Sequence, residues 1–171
     1  LYERMGHFEQ AYNSLPKELN IGKNEKPSDI EVRYYQRKAV WIIISQRNAT
    51  LKHEAIESLE TLEKLLFSHN EDNVPLWLWH FYNIKANLCE WEENYDEAIN
   101  FYKKCLAIPA LGPFEYGATF VNMAISYRFK YIVDVNKNDE TINKAINLGK
   151  IGLNLKESVG DRDEMPVVLH N

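Results

Sequence analysis

The chain has 171 residues, a formal charge of -5, 45% hydrophobic and 12% aromatic residues, seven Gly and six Pro. That apolar content excludes a disordered chain, and the shortage of Gly and Pro favours helix over strand. An isoelectric point near 5.6 excludes a broad nucleic-acid surface, which needs clustered Lys and Arg, and the longest apolar run, AVWIII (39–44), falls far short of the roughly 20 residues that cross a bilayer.

In chain order, GHFEQAYNSL carries apolar residues at helical spacing and predicts a helix over about 7–20. Ser28 with Glu31 forms a capping box for a second helix, about 29–47. LKHEAIESLETLEKLL predicts a third over about 50–67, followed by the polar connector SHNEDNVP, 68–75. Pro75 then opens PLWLWHFYNIKANLCEW, a helix of about 75–92 that is apolar round most of its circumference. Asn94 with Glu97 offers a cap for the next helix, about 94–108. Pro113 begins a helix of about 113–131, DVNKND (134–139) is a connector, and ETINKAINLGKIGLNL predicts a helix over about 138–158. The stretch PVVLHN after Met165 reads as the start of another.

A period runs through these elements. Ala11, Ala55, Ala98 and Ala145 each stand before large apolar residues, at separations of 44, 43 and 47. Pro27, Pro75, Pro113 and Pro166 interleave with them, each at the front of a helical stretch, where a missing N–H costs nothing. Two interleaved markers at one period predict a recurring helical hairpin of about 44 residues. The expected units are a partial repeat over 1–21, repeats over 28–67, 75–109 and 113–158, and the beginning of another over 164–171. LYERM and EMPVVLHN read as pieces of interrupted repeats, so a longer array is expected.

The stretch YNIKANLCEWEENYDEAINFYKKCLAI (82–108) resembles the tetratricopeptide repeat family. Tyr82 stands at its large residue early in helix A and Ala86 at the small residue one turn on. Tyr95 is the aromatic that opens helix B, Ala98 the small residue at the crossing, and Tyr102 the following anchor. Gly6, Phe8 and Ala11 match the helix B half, whereas Lys52 replaces an aromatic and Gly149 a large residue. The family unit is usually about 34 residues, so the chain is similar to its longer-helix variants. The resemblance implies an all-α right-handed solenoid of stacked antiparallel hairpins, with helix A lining a concave, protein- or peptide-binding groove.

Several chemical signatures are absent or incomplete. DVNKNDETINKA (134–145) resembles a calcium loop at its first, third and fifth places. Asp139 stands where the turn needs Gly, however, and Ala145 where the metal needs Glu. His53, His69 and His80 form no HExxH arrangement, and Cys89 and Cys105 are 16 apart, without zinc spacing. Both cysteines are expected as reduced thiols inside helices. NAT (48–50) matches a glycosylation acceptor by chance spacing, and PLWLWHFY reads as a buried helix rather than a base-stacking platform. No GxSxG or phosphate-cradling loop is present, so neither enzyme activity nor a cofactor is expected of this segment.

One stripe remains. His80, Asn83, Asn87 and Glu90 fall at i, i+3, i+7 and i+10 of one helix. The resemblance places them on the side of helix A away from helix B, lining the groove, with Arg33, Gln36 and Arg37 from the preceding helix A and Asn122 from the next. Carboxamides both donate to and accept from a peptide backbone, and such a stripe would contribute little to folding. Lys85 lies off the stripe, unlike the multi-lysine clamp that grips a terminal carboxylate. The expected function is a non-catalytic scaffold or sensor module of a larger cytoplasmic protein that binds protein or peptide, not nucleic acid or membrane. The alternatives are a spacer, self-association through interrupted ends, or an array regulating an enzymatic or DNA-binding domain elsewhere.

Overall fold

A computed structural model of the chain describes residues 29–46, 49–68 and 74–160. Every regular element among them is a helix: α1 (Asp29–Gln46), α2 (Ala49–Ser68), α3 (Val74–Trp91), α4 (Tyr95–Leu106), α5 (Pro113–Val133) and α6 (Asp139–Ser158). Each expected boundary in this range lies within two residues of the observed one. The expected helix over 7–20, Ala11, Ser28 of the first capping box, Asn48, His69 and the start near Pro166 lie outside the described residues. No described helix is long and apolar enough to cross a membrane.

The described residues fall into two compact units that divide between Val74 and Pro75. In the first, α1 packs on α2. Val32, Gln36, Ala39 and Ile43 are buried on α1, and Ala55, Leu59, Leu62 and Leu66 on α2. Both sets follow the spacing i, i+4, i+7, i+11, which keeps one stripe of a 3.6-residue helix facing inward. Lys38 and Glu54 join the two helices by an ion pair of 2.5 Å.

In the second unit α3 and α4 run antiparallel. Cys105 meets Trp79, the Tyr82 and Phe101 rings stack 6.2 Å apart, and Asn94 meets Cys89, so α4 numbers fall as α3 numbers rise. The turn between them is a Schellman motif, with Asn94 N–H donating to Cys89 O and Glu93 N–H to Glu90 O. Asn94 then caps α4, its Oδ1 accepting from Glu97 N–H. Ala86, Ala98, Ile99, Tyr102 and Met123 form a core, with Cys89, Phe101, Leu106, Tyr127 and Leu148 packed against it. Four helices therefore meet around Ala98, which is wholly buried.

The α5–α6 pair crosses on glycine. A Cβ on Gly152 would stand 2.8 Å from Gly117 O and 2.9 Å from Val121 N, so the helix backbones touch. Gly149, which departs from the repeat pattern, lies on the same buried side of α6 as Ala145. The connector 134–138 is an Asx turn, Asp134 Oδ1 accepting from Asn136 N–H at 2.9 Å. Asn138 then caps α6 by accepting from Glu140 N–H at 2.9 Å. The side chains that mimic a calcium loop thus serve the backbone.

Candidate functional site: the α3–α5 seam

α3 meets α5 through side-chain hydrogen bonds. Trp79 Nε1–H donates to Thr119 Oγ1 at 2.7 Å, Asn122 Nδ2–H donates to Asn83 Oδ1 at 3.0 Å, and Ser126 Oγ–H donates to Glu90 Oε1. The partners are separated by 40, 39 and 36 residues. A nearly constant offset as both chains advance means that α3 and α5 run parallel, side by side. The intervening α4 reverses the chain between them, as Lys130 of α5 paired with Asp96, and Tyr116 Oη–H donating to Ile108 O, require.

The four-residue stripe on α3 is divided by this packing, which corrects the expected geometry. Glu90 does not face away from helix B: its Oε1 also accepts from Tyr102 Oη–H of α4 at 3.2 Å, and Asn87 Oδ1 lies 3.5 Å from the same hydroxyl. Asn83 is 7% exposed and bonded to Asn122 of α5. The physical reason is that positions 79, 83 and 90 share one side of α3, the side on which α5 stacks. Polar groups buried there must find partners. Asn83 and Glu90 are therefore structural, and the expectation that the stripe adds little to folding fails for them.

His80 and Asn87, on the neighbouring strip, remain partly exposed. The His80 ring lies 4.7 Å from the Trp79 ring and 5.9 Å from that of Trp77. Burial lowers its pKa to about 4, opposed by the Glu115 carboxylate, so it is neutral near pH 7. Lys85 rests 5.3 Å from the Phe81 ring centroid. In the other unit Arg33 and Arg37 are exposed, whereas Gln36 is buried and so does not line an open surface.

One feature of the seam has no sequence signature. Asn83 Nδ2 is enclosed and lacks a hydrogen-bond partner. Thr119 and Ser126, also missed, are small polar residues in an apolar helix, spaced i, i+7 on the stripe that contains Asn122; that spacing could have found them.

The thiols are chemically quiet. Burial raises Cys89 to about 11 and Cys105 to about 12, and both are free. Cys105 Sγ–H donates to Trp79 O at 3.6 Å. Burial, followed by the Glu90 carboxylate, lifts the Tyr102 hydroxyl well above its ordinary range. His53 does have a carboxylate four residues on, Glu57 at 3.4 Å, as an exposed pair. Among the described residues no cluster of three His, Cys, Asp or Glu side chains is placed to hold a metal. No protein-family model matches this chain, and no curated protein or solved structure does.

Proposed function

We propose that the chain is a helical-hairpin module of the tetratricopeptide kind whose α3–α5 face binds an extended segment of another protein, without catalysis or a cofactor. The observation that carries this reading is the parallel pairing of α3 with α5 at a nearly constant offset. It supports a unit that recurs and stacks, presenting successive first helices along one surface. Beside Asn122 and the Glu90 carboxylate, which are bonded within the seam, the partly exposed groups on that surface are a carboxamide, Asn87, and a neutral imidazole, His80. Both suit the uncharged amides of a peptide backbone better than a terminal carboxylate, which calls for cations. The larger role, a scaffold or sensor in the cytoplasm, is part of the same proposal.

The test uses a display library of unstructured peptides selected on the full chain, with affinities measured by calorimetry. Asn87→Ala removes one groove amide and should weaken a selected peptide by about three- to tenfold, the worth of one net hydrogen bond. Because Asn87 Oδ1 also lies 3.5 Å from the Tyr102 hydroxyl, a stability loss of up to about 1 kcal/mol accompanies it, and affinities are compared where both proteins are fully folded. A selected peptide that binds Asn87→Ala as tightly as the parent, or a library that yields no binder, would sink the groove assignment.

A further inference from the structure

Different chemistry holds α5 on its two inner sides. Towards α4 the contact is mainly apolar, with Met123 and Tyr127 packed among Ala98, Ile99 and Tyr102, and polar only at its two ends, where Lys130 meets Asp96 and Tyr116 meets Ile108 O. Towards α3 a row of polar bonds, Trp79 to Thr119, Asn122 to Asn83 and Ser126 to Glu90, runs beside a smaller apolar contact in which Ala86 shares a core with Met123 and Ala118 packs near Trp79. Trp79 divides between the two, because its ring packs with Cys105 of α4 and with Ile108 just beyond it, while its indole N–H reaches α5. Glu90 likewise keeps the Tyr102 hydroxyl of α4 as a second donor. The α5–α6 crossing is of another kind, backbone against backbone at Gly117 and Gly152.

We propose that the α3–α5 seam is a hinge: α5 and α6 move as one body, pivoting on the apolar α4 contact and swinging off α3. Three arguments support it. Water can replace a protein–protein hydrogen bond at small net cost, whereas the close-packed glycine crossing has no such substitute. The apolar ring of Trp79 and the carboxylate of Glu90 retain their α4 partners when α5 leaves. The enclosed Asn83 Nδ2, unpaired when the seam is closed, gains a partner once water enters. Opening would widen the face that carries His80 and Asn87, so the hinge would set the width of a groove there. It does not depend on what that face binds.

The Trp79 indole N–H is a direct reporter, since its protection comes from the seam and not from a helix backbone. Hydrogen exchange of this proton is followed by NMR on the full chain at increasing sub-denaturing urea, the signal being assigned with Trp79→Phe. Sub-global opening predicts exchange nearly independent of urea and at least about tenfold faster than the backbone amides of Val121 and Gly152, which await global unfolding. Equal protection and equal urea dependence for all three would overturn the hinge. A second variant, Asn83→Leu with Asn122→Leu, seals the seam with apolar contact and should slow the indole exchange about tenfold. Unchanged or faster exchange in that folded variant also overturns the proposal. Should the double variant lose its helices, the urea dependence of the parent decides alone.

Discussion

His80 shows how a residue's chemistry is set by what stands on it. A histidine on a polar stripe reads as a switchable cation, yet packing beside Trp79 leaves it neutral, with a pKa near 4 against 6.5 for the free side chain. Because the folded value is depressed, the unfolded chain binds the proton first as pH falls, and stability rises with pH between about 4 and 6.5. Its contribution is fully present above that window and lost through it, about 3 kcal/mol over the whole window and on the order of 2 kcal/mol by pH 5. Urea unfolding at pH 7.5 and pH 5 should show such a loss for the parent and a smaller one for His80→Gln. Equal losses would mean that other groups carry the acid sensitivity. Asn83 makes the companion point: its carboxamide was legible as a polar position, but its enclosure by α5 was not, because burial depends on a partner 39 residues away.

At the scale of elements, two glycines of α6 carry opposite predictions. Glycine inside a helix is less favourable than alanine by up to about 1 kcal/mol. At Gly149 an added Cβ meets the Ala124 Cβ at 3.8 Å, an ordinary contact. Gly149→Ala should therefore stabilise by about 0.5–1 kcal/mol. At Gly152 the same methyl meets backbone atoms of α5 at 2.8–2.9 Å. Backbone cannot swing aside, so Gly152→Ala forces the helices apart and should cost about 1–3 kcal/mol. Denaturant midpoints for the two variants, measured side by side, check the pair; stabilisation by both would mean that the crossing is looser than described. Helix existence was legible in the periodicity, and two of the caps in Asn94 and in the polar connector before α6. The glycine crossing was not, since Gly149 and Gly152 look from sequence like weak points of a helix.

For the whole molecule, the compactness of the second unit, described from Pro75 to Gly160, leads to a prediction. It holds its own core around Ala98 and Tyr102, to which all four of its described helices contribute. Residues 75–160 expressed alone should therefore keep a helical circular-dichroism spectrum and unfold in urea as one cooperative transition, as units with their own core do. A broad, featureless melt would show that the first unit is required for folding. Ala55, Ala98 and Ala145 are all buried, which agrees with the small-residue period from which the hairpins were expected.

For the described residues the sequence by itself determined that the elements are helices, where they begin and end, and that the periodic alanines at 55, 98 and 145 are buried. Those properties follow from periodicity, capping and proline placement, all local in the chain. Only the tertiary structure decided how the polar stripe of α3 is used. Position 83 is enclosed and bonded to α5, and position 90, though partly open, is also bonded to α5; positions 80 and 87, one strip round the same helix, stay partly open as well. A helix has one pattern but several neighbours, and the choice of which side meets water is made by the element that stacks on it. For α3 that element is α5, set by a contact between residues some 36 to 40 positions apart, beyond the reach of any local reading.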